Sequence, residues 1–165
     1  MTDFAHVTGL AGRVRLVLAP NTATVLHHTL TGVAARLAGS GRRAGVPDGR
    51  LFPDAYGSRA LSAGFRDRHG AAMRAEVAAV FTRVLAAWDG GTELDLDLAG
   101  ARDLRLALAH AQTVSLRLPR WKTTGTGPFS ARWGEERTVV WLQDLESHVA
   151  TAALARDDVP VFLEL

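Results

Sequence analysis

Histidines are the first residues to consider for chemistry, because imidazole binds metal ions and transfers protons near neutral pH. His27 and His28 are adjacent, so on a helix their side chains point about 100° apart and do not easily share a metal. His69, His110 and His148 are isolated in sequence, and the HExxH pattern of zinc proteases does not occur. The spacing predicts no metal site, although three histidines brought together by the fold stay an alternative.

Nucleophilic and phosphate-binding chemistry finds little support either. No serine lies in the GxSxG elbow of a hydrolase. The 165 residues include no cysteine, which excludes thiolate nucleophiles, disulfides and cysteine-ligated zinc in this chain. The segment GSGRRAG at residues 39–45 lacks the strand and the lysine of a phosphate-binding loop, so we interpret it as a linker. The sequence predicts no catalytic residue and no cofactor, with an enzyme or accessory protein that has an unrecognised small-molecule pocket as an alternative.

Two charged residues occur in an apolar helical run, namely Asp103 and Arg105. A buried charge is tolerated only when it is paired and hydrogen-bonded. We expect Asp103 to pair with Arg66 or another arginine of residues 36–74, and Arg105 to pair with an acid such as Asp54 or Asp144. A polar pocket for a ligand is the alternative interpretation of the same residues.

The charge is unevenly distributed along the chain, although the formal net charge is only +2. Residues 36–74 contain eight arginines against three aspartates, whereas residues 89–103 contain five acids against one arginine. The arginines could form a phosphate-binding surface, which makes a DNA-binding regulator an alternative function. A solvated arginine face explains the same residues, and no helix-turn-helix spacing accompanies them. The candidate basic surface comprises Arg42, Arg43, Arg50, Arg59, Arg68 and Arg74.

The elements that must position these residues begin with a hairpin. RVRLVLA at residues 13–19 alternates with the period of a half-buried strand, and the preceding FAHV and TGLAG predict its partner strand and turn. Pro20 and Asn21 end the strand, and Asn21 is the predicted N-cap of a helix. The apolar stripe of that helix is Leu26, Leu30, Val33 and Leu37.

The middle of the chain predicts further helices. Pro53 and Asp54 are typical of the first turn of a helix, and Tyr56 and Phe65 are predicted core anchors. Beyond Gly70 the sequence predicts a regular helix, which ends at the DGG that follows its last apolar residue. Its apolar side consists of Met73, Val77, Val80, Phe81, Val84, Leu85 and Trp88.

The last third alternates between helices and irregular segments. TELDLDLAG at residues 92–100 is interpreted as an extended lead-in to a helix over residues 101–118, whose apolar residues surround most of its circumference. Residues 119–137 form a predicted long irregular loop, in which Trp121 and Trp133 are candidate contact anchors for a partner. Folding of both tryptophans onto the protein's own core is the alternative.

A last helix is predicted over residues 138–154, and residues 155–165 form a tail or strand. The terminal VPVFLEL could pair with residues 13–18 or add to the sheet edge of a partner. With 47% hydrophobic residues, residues 1–165 fit a single domain, and the chain has neither a membrane-spanning run nor a leader segment, which predicts a cytoplasmic protein. We predict a mainly α fold of four to five helices around one core, with a small N-terminal β-hairpin and a candidate C-terminal strand.

Three segments over residues 10–154 together resemble the actinobacterial oxidation-sensing regulator family, an otherwise uncharacterised domain family. These are LFPDAY followed by GFR, DLRLAL at residues 103–108, and WLQDL, which begins at Trp141. The resemblance implies a small, mainly helical cytoplasmic protein that associates with an alternative sigma factor and senses oxidation through cysteines. This chain has no cysteine, and it has Gly64 and Arg102 where that family has an acid and an asparagine.

The resulting functional prediction is a non-catalytic regulatory or protein-interaction protein without the cysteine redox switch. Its expected partner is a protein, such as a sigma factor of the transcription machinery, and a homodimer is compatible with the sequence. The candidate interaction or buried polar residues are Asp54, Tyr56, Arg66, Asp103, Arg105, Trp121, Trp133 and Trp141.

Overall fold

The computed structural model describes residues 5–39, 51–52, 54–115, 135–155 and 161–164. Within these ranges the chain forms, in order, β1 (Ala5–Leu10), β2 (Arg13–Leu18), α1 (Pro20–Leu37), α2 (Arg59–Ala87), β3 (Glu93–Asp97), α3 (Leu98–Ser115), α4 (Glu135–Ala152) and β4 (Val161–Glu164). The strands make a four-stranded antiparallel sheet in the order β3-β2-β1-β4. The protein is mainly α with a β component, as predicted, but its sheet extends beyond the hairpin.

The predicted hairpin is confirmed, with β1 and β2 joined at Ala11 and Gly12. Both turn residues have positive φ, at 52° and 73°, which matches the twist that a two-residue hairpin turn needs. The alternation of β2 buries Val14, Leu16 and Leu18 on one face of the sheet. The hairpin therefore supplies part of the surface on which the helices pack.

β3 corrects the interpretation of residues 92–100 as a lead-in. Glu93–Asp97 pairs along β2 and buries Leu94 and Leu96 on the same face of the sheet as the apolar residues of β2. The physical reason is that one edge of β2 is not used by the hairpin, and β2 alternates buried and exposed residues as residues 93–97 do. The arginines of β2 also lie opposite the acids of β3. α3 then follows β3 directly, so it begins at Leu98 rather than at residue 101.

The C-terminal strand is present, but it does not pair with residues 13–18. β4 pairs antiparallel with β1, with Val161 opposite Gly9 and Glu164 opposite His6. The two neighbours of β2 are β1 and β3, so both of its edges are already paired. The outer edge of β1 is therefore the edge of the hairpin that is open to β4.

The starts of α1 and α2 differ from the prediction. α1 begins at Pro20, with Ala19 as an N-cap that provides no side-chain hydrogen bond, so Asn21 is not the cap. Proline fits the first helical position because the amide that it lacks would have no partner there. α2 begins at Arg59 with Ser58 as its N-cap, so Asp54 precedes the helix, and Pro53 lies outside the described residues.

α2 also continues without a break through Gly70, which is buried, and so forms one helix of 29 residues. The predicted apolar side is confirmed, since its seven residues are buried or pack against the core, and the stripe of α1 is buried as well. The indole of Trp88 donates a hydrogen bond of 2.7 Å to the carbonyl of Gly91, which fixes the turn after α2.

α3 contributes an apolar face rather than the enclosed circumference that was predicted. Its buried side chains are Ala101, Leu104, Ala107, Leu108, Ala111 and Val114. Arg102 and Leu106 are exposed on its other side, and the predicted extension to residue 118 lies outside the described residues. α3 contacts α1, α2, α4 and the sheet, so its buried face is central to the core.

α4 begins at Glu135, three residues before its predicted start, and its end lies against the hairpin. At Gly9, an added Cβ would lie 2.0 Å from the carbonyl oxygen of Ala152, the last residue of α4. Only glycine permits this approach of helix backbone to strand backbone. Among the described residues, no helix is both long enough and apolar enough to cross a membrane.

Candidate functional site

Asp103 forms a two-pronged ion pair with Arg83 of α2. Nε and a terminal nitrogen of Arg83 donate to the two carboxylate oxygens at 2.6 and 2.9 Å. These hydrogen bonds lower the pKa of Asp103 below its ordinary value, against the opposing effect of desolvation, and they raise the pKa of Arg83. The residue is therefore paired, but the predicted partner Arg66 is wrong, because α2 brings a later arginine against α3.

Arg105 pairs with Glu146 of α4 at 3.4 Å, so neither Asp54 nor Asp144 is its partner. Arg66 and Asp54, which were predicted as partners of Asp103 and Arg105, instead pair with each other. Arg66 donates to Asp54 at 2.6 Å. α3 packs along α4, which brings the acid of α4 to this arginine. The charged residues thus form separate pairs, as expected for charges in an apolar helix, but with partners other than those predicted.

Two of the five acids of residues 89–103 pair with arginines of β2 in the sheet. Arg13 pairs with Asp95 at 2.9 Å and Arg15 pairs with Glu93 at 2.6 Å across the exposed face of β2 and β3. Each pair is more than half exposed, so its contribution to stability is small. The pairing nevertheless places a cation beside each of these two exposed acids.

Histidines line a shallow, open depression between α1 and the turn after α2. His27 and His28 lie beside Asp89, and the His27 ring contacts Trp88 edge to face at 5.6 Å between ring centroids. In the part of the chain that the structure describes, no group of three histidine or acidic side chains could hold a metal ion. His110 is separate and half-buried, and burial lowers its pKa.

The predicted basic surface is only partly within the described residues. Arg42, Arg43 and Arg50 lie outside them, and Arg74 has an interaction partner. Arg59 and Arg68 on α2 are exposed, and neither has a side-chain hydrogen bond or ion pair with another described residue. Among the candidate DNA-binding arginines, Arg59 and Arg68 are therefore those that are described, exposed and without such a partner.

Tyr56 is not the core anchor that the sequence predicted, because it is 47% exposed. Its ring contacts half-buried Phe65 edge to face, with centroids 6.0 Å apart, and Phe65 in turn contacts His69 at 4.8 Å. The Ser62 hydroxyl donates to the Tyr56 carbonyl and accepts from the Tyr56 amide, both at 3.1 Å. The segment before α2 is thus folded onto the helix with its aromatic ring at the surface.

Leu61 completes a surface that sequence reasoning missed. It is 61% exposed, and it lies one helical turn before Phe65 and two before Arg68. We define the α2 surface as Tyr56, Leu61, Phe65 and Arg68. Arg59 lies two residues before Leu61 and therefore points to the opposite side of the helix. A helical projection carried back from Val77 would have found it, because the buried residues Gly70 and Ser62 continue the core face and leave Leu61 well away from it.

The tryptophans that the sequence singled out are only partly within the described residues. Trp121 and Trp133 lie outside the described residues. Trp141 is partly buried and packs against the core from α4. The described candidate for binding is therefore the α2 surface.

Comparison with known proteins gives one match. A family model described as a domain of unknown function, DUF2017, matches residues 1–114, which include β1 to β3, α1, α2 and most of α3. The searches of curated proteins and of solved structures return no significant match. The matched range contains the whole α2 surface.

Proposed function

The chain belongs to the DUF2017 family, and from that premise we propose that it is a non-catalytic regulatory protein that acts by binding another protein. The observation that carries the proposal is the exposure of Leu61, with 61% of its surface in water, beside the exposed ring of Tyr56. An exposed leucine alone is ordinary, but the rings of Tyr56 and Phe65 and the guanidinium of Arg68 on the same surface belong to residue types that are enriched at protein interfaces.

The class of partner follows from the resemblance to the actinobacterial oxidation-sensing regulators. That resemblance supports a cytoplasmic role and a partner from the transcription machinery, such as an alternative sigma factor. Since the chain has no cysteine, its binding is not controlled by a thiol switch within this chain. We propose that association depends instead on the α2 surface and the partner's availability.

Site-specific photo-crosslinking tests the proposal. A benzoyl-phenylalanine in place of Leu61 should crosslink in cells to a defined protein, identified by mass spectrometry and then reconstituted as a purified complex. The matched control carries the same group in place of Leu154, which is 82% exposed and follows α4. Equal crosslinking at both positions, or no protein that rebinds after purification, would contradict the proposal.

A further inference from the structure

We propose that the outer edge of β3 is a second binding site, which takes an extended polypeptide segment with basic residues at alternate positions. The site lies on the sheet and is separate from the α2 surface. It combines backbone groups that no described residue binds with a row of acidic side chains along the same edge.

The first step is the direction of the backbone groups of β3. The amide of Leu18 donates a hydrogen bond of 2.8 Å to the carbonyl of Thr92, which continues the register of β2 with β3. Hydrogen-bonded pairs alternate along an antiparallel ladder, so every second residue from Thr92 onwards faces β2. The amides and carbonyls of Glu93 and Asp95 therefore point away from β2, and none of them has a hydrogen bond with another described residue. β3 thus presents an open edge to a further strand.

The second step is the charge along this edge. The alternation of β3 places Glu93, Asp95 and Asp97 on the face of the sheet that is opposite the core, and the first two side chains are more than half exposed. Among the described residues, Arg13 binds Asp95 through Oδ1 alone, and Arg15 binds Glu93 through Oε2 alone. The second oxygen of each carboxylate is left for another donor. A base on a strand beyond β3 would supply that donor.

The third step is the strand that β3 already pairs with. β2 alternates arginine with apolar residues, so its arginines lie on the face that carries the acids, whereas Val14 and Leu16 lie on the core face. A segment with the same alternation beyond β3 would repeat this arrangement. In an antiparallel pairing its bases would lie opposite Glu93 and Asp95, and opposite charges at such positions stabilise a sheet. Leu98, which follows β3 and is 50% exposed, offers apolar surface at the end of the edge.

The fourth step excludes a second copy of the chain as the favoured occupant. Antiparallel pairing of β3 with the β3 of another copy would place acids opposite acids, which is unfavourable. The β2 strand of another copy is not available either, because both of its edges are already paired.

The undescribed segments of the same chain fit the edge less well than an alternating segment does. Three of them contain no two bases at alternate positions, namely residues 1–4, 40–50 and 156–160. Residues 116–134 contain one such pair, Arg120 and Lys122, but it directly follows Pro119, which has no amide to donate to a ladder. Charge and pattern therefore favour a segment of another protein.

Titration of the full chain with a fluorescent synthetic peptide tests the inference. The probe alternates arginine with valine, and the matched control peptide has the same composition with all of its arginines before all of its valines. The alternating peptide should bind more tightly by about tenfold or more, because only its arginines match the spacing of the acids, and its binding should weaken as salt rises. Equal binding of the two peptides would overturn the inference, since charge alone would then explain it.

Methylation of the peptide backbone identifies the mode of binding. In the proposed pairing the arginine amides donate to the carbonyls of Glu93 and Asp95, whereas the valine amides point away from β3. N-methylation at the arginines should therefore weaken binding by about tenfold or more, and N-methylation at the valines should leave it intact. The same effect of both modifications would overturn the inference.

A double variant tests the acids. Glu93→Gln with Asp95→Asn should weaken binding of the alternating peptide by roughly tenfold, because both carboxylates lose their charge. Asp67→Asn with Asp144→Asn removes the same charge from exposed acids of α2 and α4 and should bind as the wild type does. Equal binding by both double variants would contradict the inference. A melting curve shows whether each variant is folded, and the N-methylated peptides, which need no variant, decide the question if the first one is not.

Absence of peptide binding by the wild-type chain would also overturn the inference. If Arg120→Ser with Lys122→Ser then binds the peptide, the edge belongs to the chain's own residues 116–134 and not to another protein. Leu61→Ser should bind the alternating peptide as the wild type does, because position 61 lies outside this site. Failure of crosslinking at position 61 would therefore reject the proposed function and leave the β3 site standing, and failure of peptide binding would do the reverse.

Discussion

The Asp103 carboxylate is held between α2 and α3 by a guanidinium, and this pair makes stability depend on acid. Hydrogen bonds from Arg83 lower the pKa of Asp103 below 3.8 in the folded chain. Its contribution is therefore fully present above the unfolded value and is lost as pH falls through the lower, folded value.

Asp103→Asn should lower the free energy of unfolding at neutral pH and reduce the loss of stability between about pH 5 and pH 3. Urea denaturation across this range measures both effects. Asp67→Asn changes an exposed acid of α2 and serves as control. An unchanged acid dependence in Asp103→Asn would show that the ion pair is not what titrates.

His110 also makes stability depend on acid, but through burial rather than through an ion pair. Burial lowers its pKa below 6.5, so the unfolded chain takes up the proton first as the solution is acidified. Stability should fall below about pH 6.5, by at most about 1.4 kcal/mol per pH unit for this one group. Comparison of wild type and His110→Gln at pH 7.5 and 5.5 should show a smaller decrease in the variant, with the exposed His28→Gln as control.

At this scale the sequence predicted that Asp103 and Arg105 are paired but not with which residues. A charged residue in an apolar helix needs a partner, and this requirement can be predicted from the local sequence. The choice between Arg66 and Arg83 depends on where α2 crosses α3, which is a tertiary property. Leu61 was missed for a different reason, since the apolar side of the helix was traced only from Met73 onwards and was not projected back over residues 59–70.

Among the elements, the contact between β1 and α4 is the most sensitive to added volume. Gly9→Ala would place a methyl group against the backbone of Ala152, which cannot rotate away. We expect a loss of about 1–3 kcal/mol or more in the free energy of unfolding.

Gly32→Ala is the matched control, because it lies in α1 and an added Cβ there meets no atom within 4 Å. Alanine should stabilise that helix by roughly 0.5–1 kcal/mol. Urea denaturation of both variants measures the two opposite changes. Equal effects of the two substitutions would show that β1 and α4 are not packed this closely.

Element types were more predictable than element boundaries. The stripe of α1 and the alternation of β2 repeat often enough to identify a helix and a strand. The residues that became β3 alternate over too few positions to separate a strand from a lead-in, and the open edge of β2 decides between them. Similarly, Pro20 and Asn21 both suit a helix start, and only the backbone shows which residue begins it.

The whole molecule depends on a sheet whose outer strand comes from the far end of the sequence. Removal of residues 161–165 would leave the edge of β1 without its four paired positions. We expect the free energy of unfolding to fall by about 2 kcal/mol or more, because each lost backbone hydrogen bond contributes roughly 1 kcal/mol.

The exposed edge should also promote self-association, which light scattering detects during urea titration. Removal of Leu165 alone is the control and should leave both readouts unchanged, because β4 ends at Glu164. A truncated chain with wild-type stability would indicate that β4 is dispensable for the sheet.

The pairing of β1 with β4 also brings His6 opposite Glu164, although 157 residues separate them in sequence. A short glycine-serine bridge could therefore close the polypeptide into a ring at this edge without stretching the sheet. Such a ring would restrict the denatured ensemble and stabilise the native state through entropy, while Leu61 and its neighbours would keep their present exposure.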